Sequence, residues 1–167
     1  METAQSLADW NGIEHRRREA RGRGKLLGVG IANYVESSIG APLEQTKITV
    51  GSDGRVDVII GTQPSGQGHE TSFAQVAAEW LGLNPDQIQI IVGDTDVVKI
   101  GGGSHSGRSM RMAGTVIVMA ADELIEKGQK LTGQVMETSS HDIEFNDGLF
   151  NVKGTDRQIN WFELARR

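Results

Sequence analysis

The chain contains no cysteine, so disulfides, iron-sulfur ligation and thiolate catalysis by its own residues are excluded. Any redox chemistry must therefore use a cofactor. No apolar run approaches the ~18 residues of a membrane-spanning helix, and the opening stretch, METAQSLADWNGIEHRRREA, lacks the apolar segment of a secretory signal. These absences read as a cytoplasmic chain with no membrane span. Aromatic residues make up only 5% of it. Arg16, Arg17, Arg18, Arg21, Arg23 and Lys25 gather positive charge near the amino end, yet no aromatic side chain is interleaved to stack on bases, and the formal net charge is -5. Nucleic-acid binding is disfavoured, and the basic cluster reads as a solvated helix face.

What the chain has in excess is glycine, 22 of 167 residues, against a usual share of ~7%. Backbone turns are thus the unusual feature of a chain long enough to bury a sizeable core. Residues 4 to 20 suit a helix ending near Gly22 and Gly24, after which Leu27, Val29, Ile31, Asn33 and Val35 alternate at strand period. Thr46, Ile48 and Val50, then Asp53-Gly54, then Val56, Val58 and Ile60 spell a hairpin. From His69 the period changes. Phe73, Val76, Ala77, Trp80 and Leu81 share one helical face, with Gly82 as a left-handed cap and Pro85 barring continuation.

Ile88, Ile90 and Val92 mark a further strand, followed by a long loop to Ser106 and a second helix from Gly107 to Lys127. Its middle, AGTVIVMAA, is apolar on most sides and is expected to be buried, with Gly114 allowing close approach of a neighbouring backbone. Ile143 and Phe145, Asn146-Asp147-Gly148, and Leu149 to Val152 form a second hairpin, and Asn160 caps a last helix, WFELARR. A chain that stops within a helix reads as a piece of a longer one.

Twice, a strand runs into a glycine-rich loop that opens a helix: GTQPSGQG after Ile60, and GDTDVVKIGGGSHSGRS after Val92. The first turn of a helix has unpaired N–H groups and partial positive charge, so both junctions suit an anion. In the first loop Gly61 and Gly66 have P-loop spacing, but Gln67-Gly68 stands where Lys-[Ser/Thr] is required, which argues against nucleotide hydrolysis. A dinucleotide fingerprint also fails, because no GxGxxG occurs and the preceding strands read as a hairpin, not a βαβ unit. Two readings stay open for this loop: a plain tight turn, or a ligand wall in which Gln67 offers an amide between Gly66 and Gly68.

In the second loop, Arg108 sits at a helix N-terminus, where a cation is disfavoured, so a bound anion would offset its cost. The alternative is a surface arginine flanked by capping serines, Ser106 and Ser109. His15, His69, His105 and His141 have no metal-ligand spacing, and Asp94 and Asp96 suit a turn better than a metal. Spacing alone ends at an anion or nucleotide-like cofactor between two helix N-termini.

The ordered strings GTQPSGQGHETSFAQ (61 to 75), GDT (93 to 95) and SGRS (106 to 109), with RGKLLGVGIANYVE (23 to 36), resemble the molybdenum hydroxylases, the molybdopterin-binding large subunits of xanthine dehydrogenase, aldehyde oxidase and carbon monoxide dehydrogenase. The resemblance spans nearly the whole chain and is specific for family but not for substrate. It implies an α+β fold, an antiparallel or mixed sheet with two main helices packed on it, and residues 1 to 167 as a single partial molybdopterin-binding domain. It also implies cofactor contact by Gly66, Gln67 and Gly68, with His69 and Thr71 close by, and by Ser106, Gly107, Arg108 and Ser109 at the pterin or pyrophosphate end.

The HET and GRS wording resembles bacterial enzymes that use the cytosine dinucleotide form of molybdopterin, while Pro64-Ser65 departs from the Glu-Met or Glu-Gln usual before Gly-Gln-Gly. The family hydroxylates an aldehyde, an N-heterocycle or CO with water-derived oxygen, and electrons leave through 2Fe-2S and FAD subunits or domains. Its catalytic glutamate motif, Gly-x-Gly-Glu, is missing here, as is its Gly-Phe-Gly loop. The expectation is therefore no catalytic residue and no metal ligand in this chain, and a piece that by itself is inactive and binds neither metal nor pterin. The competing reading is a stand-alone α+β binding or interaction module that kept the fold without catalysis.

Overall fold

The single helix expected over residues 4 to 20 is two helices, α1 (Glu2–Leu7) and α2 (Ile13–Gly22), separated by a 3-10 turn at Trp10–Gly12. The break lies at Asp9, which adopts a left-handed φ of 45° while its carboxylate accepts from the Gly12 N–H. A short polar side chain that bonds locally tolerates this conformation and competes with helix continuation. Arg16 then donates to the carbonyls of Ala8 and Asp9, and Arg17 pairs with Glu14. Arg18, Arg21, Arg23 and Lys25 are exposed, as a solvated basic face requires.

The computed structural model describes residues 1–35 and 42–167, divided into a unit Met1–Glu36 and a unit Ser37–Arg167. The alternating stretch Leu27 to Val35 forms no strand, and Leu26 and Val35 are 92% and 99% exposed. Alternation becomes a strand only where a neighbour completes its hydrogen bonds, and none does so among the described residues. Glu36, the last residue of that motif, lies outside them.

In the second unit, β1 (Thr46–Val50) and β2 (Val56–Ile60) form the expected antiparallel hairpin. α3 (His69–Leu81) follows, and β3 (Ile88–Ile91) then pairs with β2 in parallel, Val56 opposite Ile88. The strand before the glycine-rich loop is therefore both one arm of a hairpin and the first strand of a βαβ unit, contrary to the sequence expectation. β2 is central and is paired on both sides, which a linear pattern cannot reveal.

Val56, Val58 and Ile60 of β2 are fully buried beneath α3 and α4 (Arg108–Val135). Each such side chain contributes about 1.5–3 kcal/mol over its exposed state. Phe73, Ala77 and Leu81 face that core as expected, joined by Ala74 and Ala78, but Trp80 is turned outward, its indole N–H donating to Asp122 of α4 at 2.8 Å. An amphipathic tip favours the rim over the core. Gly82 has the expected left-handed cap (φ 62°), with the Leu83 N–H bonded back to the Ala78 carbonyl.

α4 runs 28 residues, well past Lys127. Its continuation is held by packing, since a Cβ on buried Gly128 would lie 2.2 Å from Phe150 Cζ. The AGTVIVMAA segment is buried on one face only: Ala113, Ile117 and Ala121 are inside, whereas Met119 is 58% exposed. Gly114 meets no backbone, only the Met110 methyl at 4.0 Å.

A second, antiparallel sheet joins β4 (Ile143–Asn146), β5 (Leu149–Val152) and β6 (Gln158–Asn160). The β4–β5 turn uses Asp147 and Gly148 at positive φ, as the Asn-Asp-Gly string predicts. Asn160 caps α5 (Trp161–Leu164) in a reciprocal capping box with Glu163, but the helix lasts a single turn. Two sheets flanked by helices α3 and α4 constitute the expected α+β architecture, a mixed sheet and an antiparallel one.

Candidate functional site

Because β2 and β3 are adjacent and parallel, their carboxyl ends leave the sheet on the same edge. The loops that follow therefore meet, although they lie some 40 residues apart in the chain. In open α/β sheets this edge is where ligands collect. Contact begins at the loop bases, where a Cβ on Gly61 would fall 2.4 Å from the Gly101 Cα. Only glycine permits such a backbone approach.

Thr62 lies at the base of the first loop, fully buried, with its hydroxyl 2.8 Å from both the Gly103 carbonyl and the Ser109 hydroxyl. Ser109 is 2.6 Å from Ser104, and Gln67 donates its amide N–H to Ser104 at 2.5 Å. The other end of the Gln67 amide accepts from the Ser65 N–H. The two glycine-rich loops are thus joined by one continuous string of polar contacts.

Above this string lies a cleft of about 270 Å³ lined by Gln67, His69, Ser104, His105, Ser106, Gly107, Ser109 and Met110. Both helices that open onto it begin with a left-handed glycine, Gly68 (φ 72°) and Gly107 (φ 66°), and neither has a side-chain cap. The Thr71 N–H bonds back to the Gly68 carbonyl and the Arg108 N–H to the His105 carbonyl, so what both turns lack is a side-chain cap over their remaining N–H groups. A Cβ on Gly66, Gly68 or Gly107 would meet nothing within 4 Å, so space lies over all three. His69 stacks on Phe73 at 4.8 Å, and its buried Nδ1 has no hydrogen-bond partner among the described residues. A wider groove of about 460 Å³, between β1, α4 and α5, has no such convergence of donors.

The structure gathers Gln67, His69, Ser106, Gly107 and Ser109 at one cleft, with Gly66 and Gly68 beside it. Thr71 is exposed on the first turn of α3. Arg108 behaves differently from its sequence reading as a surface residue or phosphate ligand. Its guanidinium is buried, 3.0 Å from the equally buried carboxylate of Glu44, and donates to the carbonyls of Gly103 and Leu43 at 2.7 and 2.9 Å. The anion that such a cation demands at a helix start is supplied by the chain itself. A Cβ on Gly102 would collide with this guanidinium at 2.6 Å.

Sequence reasoning did not single out Glu44, Thr62 or Ser104. Nothing about a lone glutamate before a strand marks it as the partner of an arginine so far along the chain. The buried arginine is the only signal, and burial is a tertiary property. Among the described residues no group of three or more His, Asp or Glu side chains is placed to hold a metal ion. Asp94 instead accepts from the Asp96 N–H in a local turn. No helix of the described residues is long and apolar enough to cross a membrane.

An α+β domain with two helix N-termini that lack side-chain caps, an oriented amide and an imidazole with an unpartnered Nδ1 on one sheet edge has the layout of a polar binding cleft. The chain belongs to the molybdopterin cofactor-binding domain family, whose model matches residues 3–167. It is similar to the 6-hydroxypseudooxynicotine dehydrogenase complex subunit gamma of Paenarthrobacter nicotinovorans, 36% identical over 97% of this chain and 20% of that protein. It is also similar to the carbon monoxide dehydrogenase large chain of Afipia carboxidovorans, 32% identical over 89% of this chain and 20% of that one. The fold matches a crystal structure of Cu,Mo-CO dehydrogenase with a TM-score of 0.71 at 27% identity, covering 98% of this chain and 23% of that chain. The chain spans about a fifth of the length of the relatives it matches.

The residues present fit molybdopterin. The cofactor's phosphate suits the two uncapped helix starts, and its pterin ring carries both acceptors and N–H donors that suit the Gln67 amide and His69 Nδ1.

Proposed function

We propose that this chain forms one wall of the molybdopterin site in the large subunit of a cytoplasmic molybdenum hydroxylase, an oxidoreductase that inserts water-derived oxygen into an aldehyde, an N-heterocycle or CO. Residues 1 to 167 are one part of a larger cofactor-binding domain in this reading. Its partners are the rest of the subunit, 2Fe-2S and FAD subunits or domains, and a small-molecule substrate. When bound, the cofactor supplies a metal centre able to accept two electrons from that substrate.

Gly66, Gln67 and Gly68 provide the close-approach loop, with His69 and Thr71 on the first turn behind it. Ser106, Gly107 and Ser109 line the facing loop. Arg108 serves this wall from inside, because its bonds to Gly103 and Leu43 carbonyls hold the backbone that carries Ser104 to Gly107. The cytosine dinucleotide form is favoured by the His69-Glu70-Thr71 and Gly107-Arg108-Ser109 strings.

The observation that carries this reading is the junction of the two loops through Gln67 and Ser104 beneath two uncapped helix starts. The test is Gln67→Ala in the complete enzyme, followed by pterin extraction and molybdenum analysis. Loss of a cofactor hydrogen bond of about 1–3 kcal/mol lowers occupancy or turnover by about fivefold to a hundredfold. Unchanged pterin content and rate defeat the assignment.

A further inference from the structure

We propose that Thr62, Ser109 and Ser104 form a one-way hydrogen-bond relay that fixes the orientation of the Gln67 amide, making all three positioning residues for the cofactor. The inference rests on Gln67 being a cofactor contact.

Its direction follows from counting protons. Each hydroxyl has one hydrogen, and a carbonyl can only accept. The Thr62 hydroxyl lies 2.8 Å from the Gly103 carbonyl, so its proton is committed there. Ser109, 2.8 Å from the Thr62 oxygen, must then donate to it. Ser104, 2.6 Å from the Ser109 oxygen, must in turn donate to Ser109. The Ser104 oxygen can only accept from what remains, so the amide atom facing it has to be Nε2 of Gln67.

The far side of the amide gives the same answer independently. The Ser65 N–H donates to Gln67 Oε1. Reversing the amide would set Oε1 against the Ser104 oxygen, whose hydrogen points away, and Nε2 against a backbone N–H. Both contacts would be like against like, and the two hydrogen bonds the amide now makes would be lost. A half-buried carbonyl therefore determines, through three hydroxyls, which face of Gln67 an incoming group meets. The second Nε2 hydrogen is not used by the relay and remains for a ligand acceptor.

Removal of the Thr62 hydroxyl leaves Gly103 O with a donor, because Arg108 also bonds to it at 2.7 Å. The part of the orientation signal that runs through the hydroxyls is lost without stranding the carbonyl, and the exposed Ser65 N–H alone is left to hold the amide. The decisive set is Thr62→Val, Thr62→Ser, Ser104→Ala, Gln67→Ala and the double Thr62→Val/Gln67→Ala, each in the assembled enzyme, with extractable pterin per subunit and melting temperature both recorded. Thr62→Ser should retain parental pterin. Thr62→Val and Ser104→Ala should each lose about threefold to tenfold, and the double variant should lose no more than Gln67→Ala alone, since coupled residues are not additive.

Parental pterin in Thr62→Val and Ser104→Ala while Gln67→Ala loses it would overturn the relay and leave the proposed function standing. Losses that multiply in the double variant would also overturn it. Parental pterin in Gln67→Ala would remove the cofactor assignment of Gln67 and the relay with it. If Thr62→Val does not fold, Ser104→Ala, at the half-buried end of the string, decides the matter alone.

Discussion

Arg108 and Glu44 place their charges 3.0 Å apart, and neither side chain reaches solvent. The pair ties the segment before β1 to the start of α4, and Gly61 and Gly102 are the residues small enough to pack against it. Breaking a buried pair strands a charge and costs about 3–5 kcal/mol, whereas replacing both partners by apolar side chains is often neutral. Denaturant melts should therefore show Arg108→Met and Glu44→Leu each strongly destabilised, and the double variant recovering most of the loss. An exposed, phosphate-seeking arginine would show almost no effect in the absence of cofactor.

Gly128 and Gly114 lie in the same helix and should respond oppositely to alanine. Helix propensity favours alanine by about 1 kcal/mol at both positions. At Gly128 the new Cβ meets the Phe150 ring at 2.2 Å, and overpacking of about 1–3 kcal/mol outweighs that gain. At Gly114 the nearest neighbour is 4.0 Å away. Thermal unfolding should show Gly128→Ala lowered and Gly114→Ala unchanged or raised.

Two tryptophans donate bonds of nearly equal length in different surroundings. Trp161 Nε1–H reaches the buried Leu81 carbonyl at 2.9 Å, and Trp80 Nε1–H reaches exposed Asp122 at 2.8 Å. Trp161→Phe leaves a buried acceptor unmade and should cost about 1–3 kcal/mol. Trp80→Phe should stay within about 0.5 kcal/mol, because water replaces the partner. Equal losses in denaturant titrations would refute this dependence on burial.

His69→Phe keeps the ring stacked on Phe73 and removes the unpartnered Nδ1. Stability without cofactor should hold or rise, since an unsatisfied buried nitrogen is lost. Pterin retained by the complete enzyme should fall severalfold. Retention at the parental level would show that Nδ1 has no ligand partner.

Much of the fold was legible. The Asp-Gly and Asn-Asp-Gly turns announced both hairpins, and Gly82 with Pro85 marked the end of α3, because backbone conformation at those positions is set by the residues themselves. The candidate site was legible as two glycine-rich loops before helices. The extra length of α4 was not, because Gly128 is kept helical by Phe150, a residue brought there by the second sheet.

By itself, the sequence determined the local chemistry: two glycine-led helix starts, a neutral amide where a P-loop would need lysine, and no thiolate. Only tertiary structure decided which residues work together. Parallel pairing of β2 and β3 brought the two loops to one edge, joined Gln67 to Ser104, and turned Arg108 inward onto Glu44. Those partners are set by through-space pairing in a dry interior, where a charge or hydroxyl must find a complement wherever the fold supplies one.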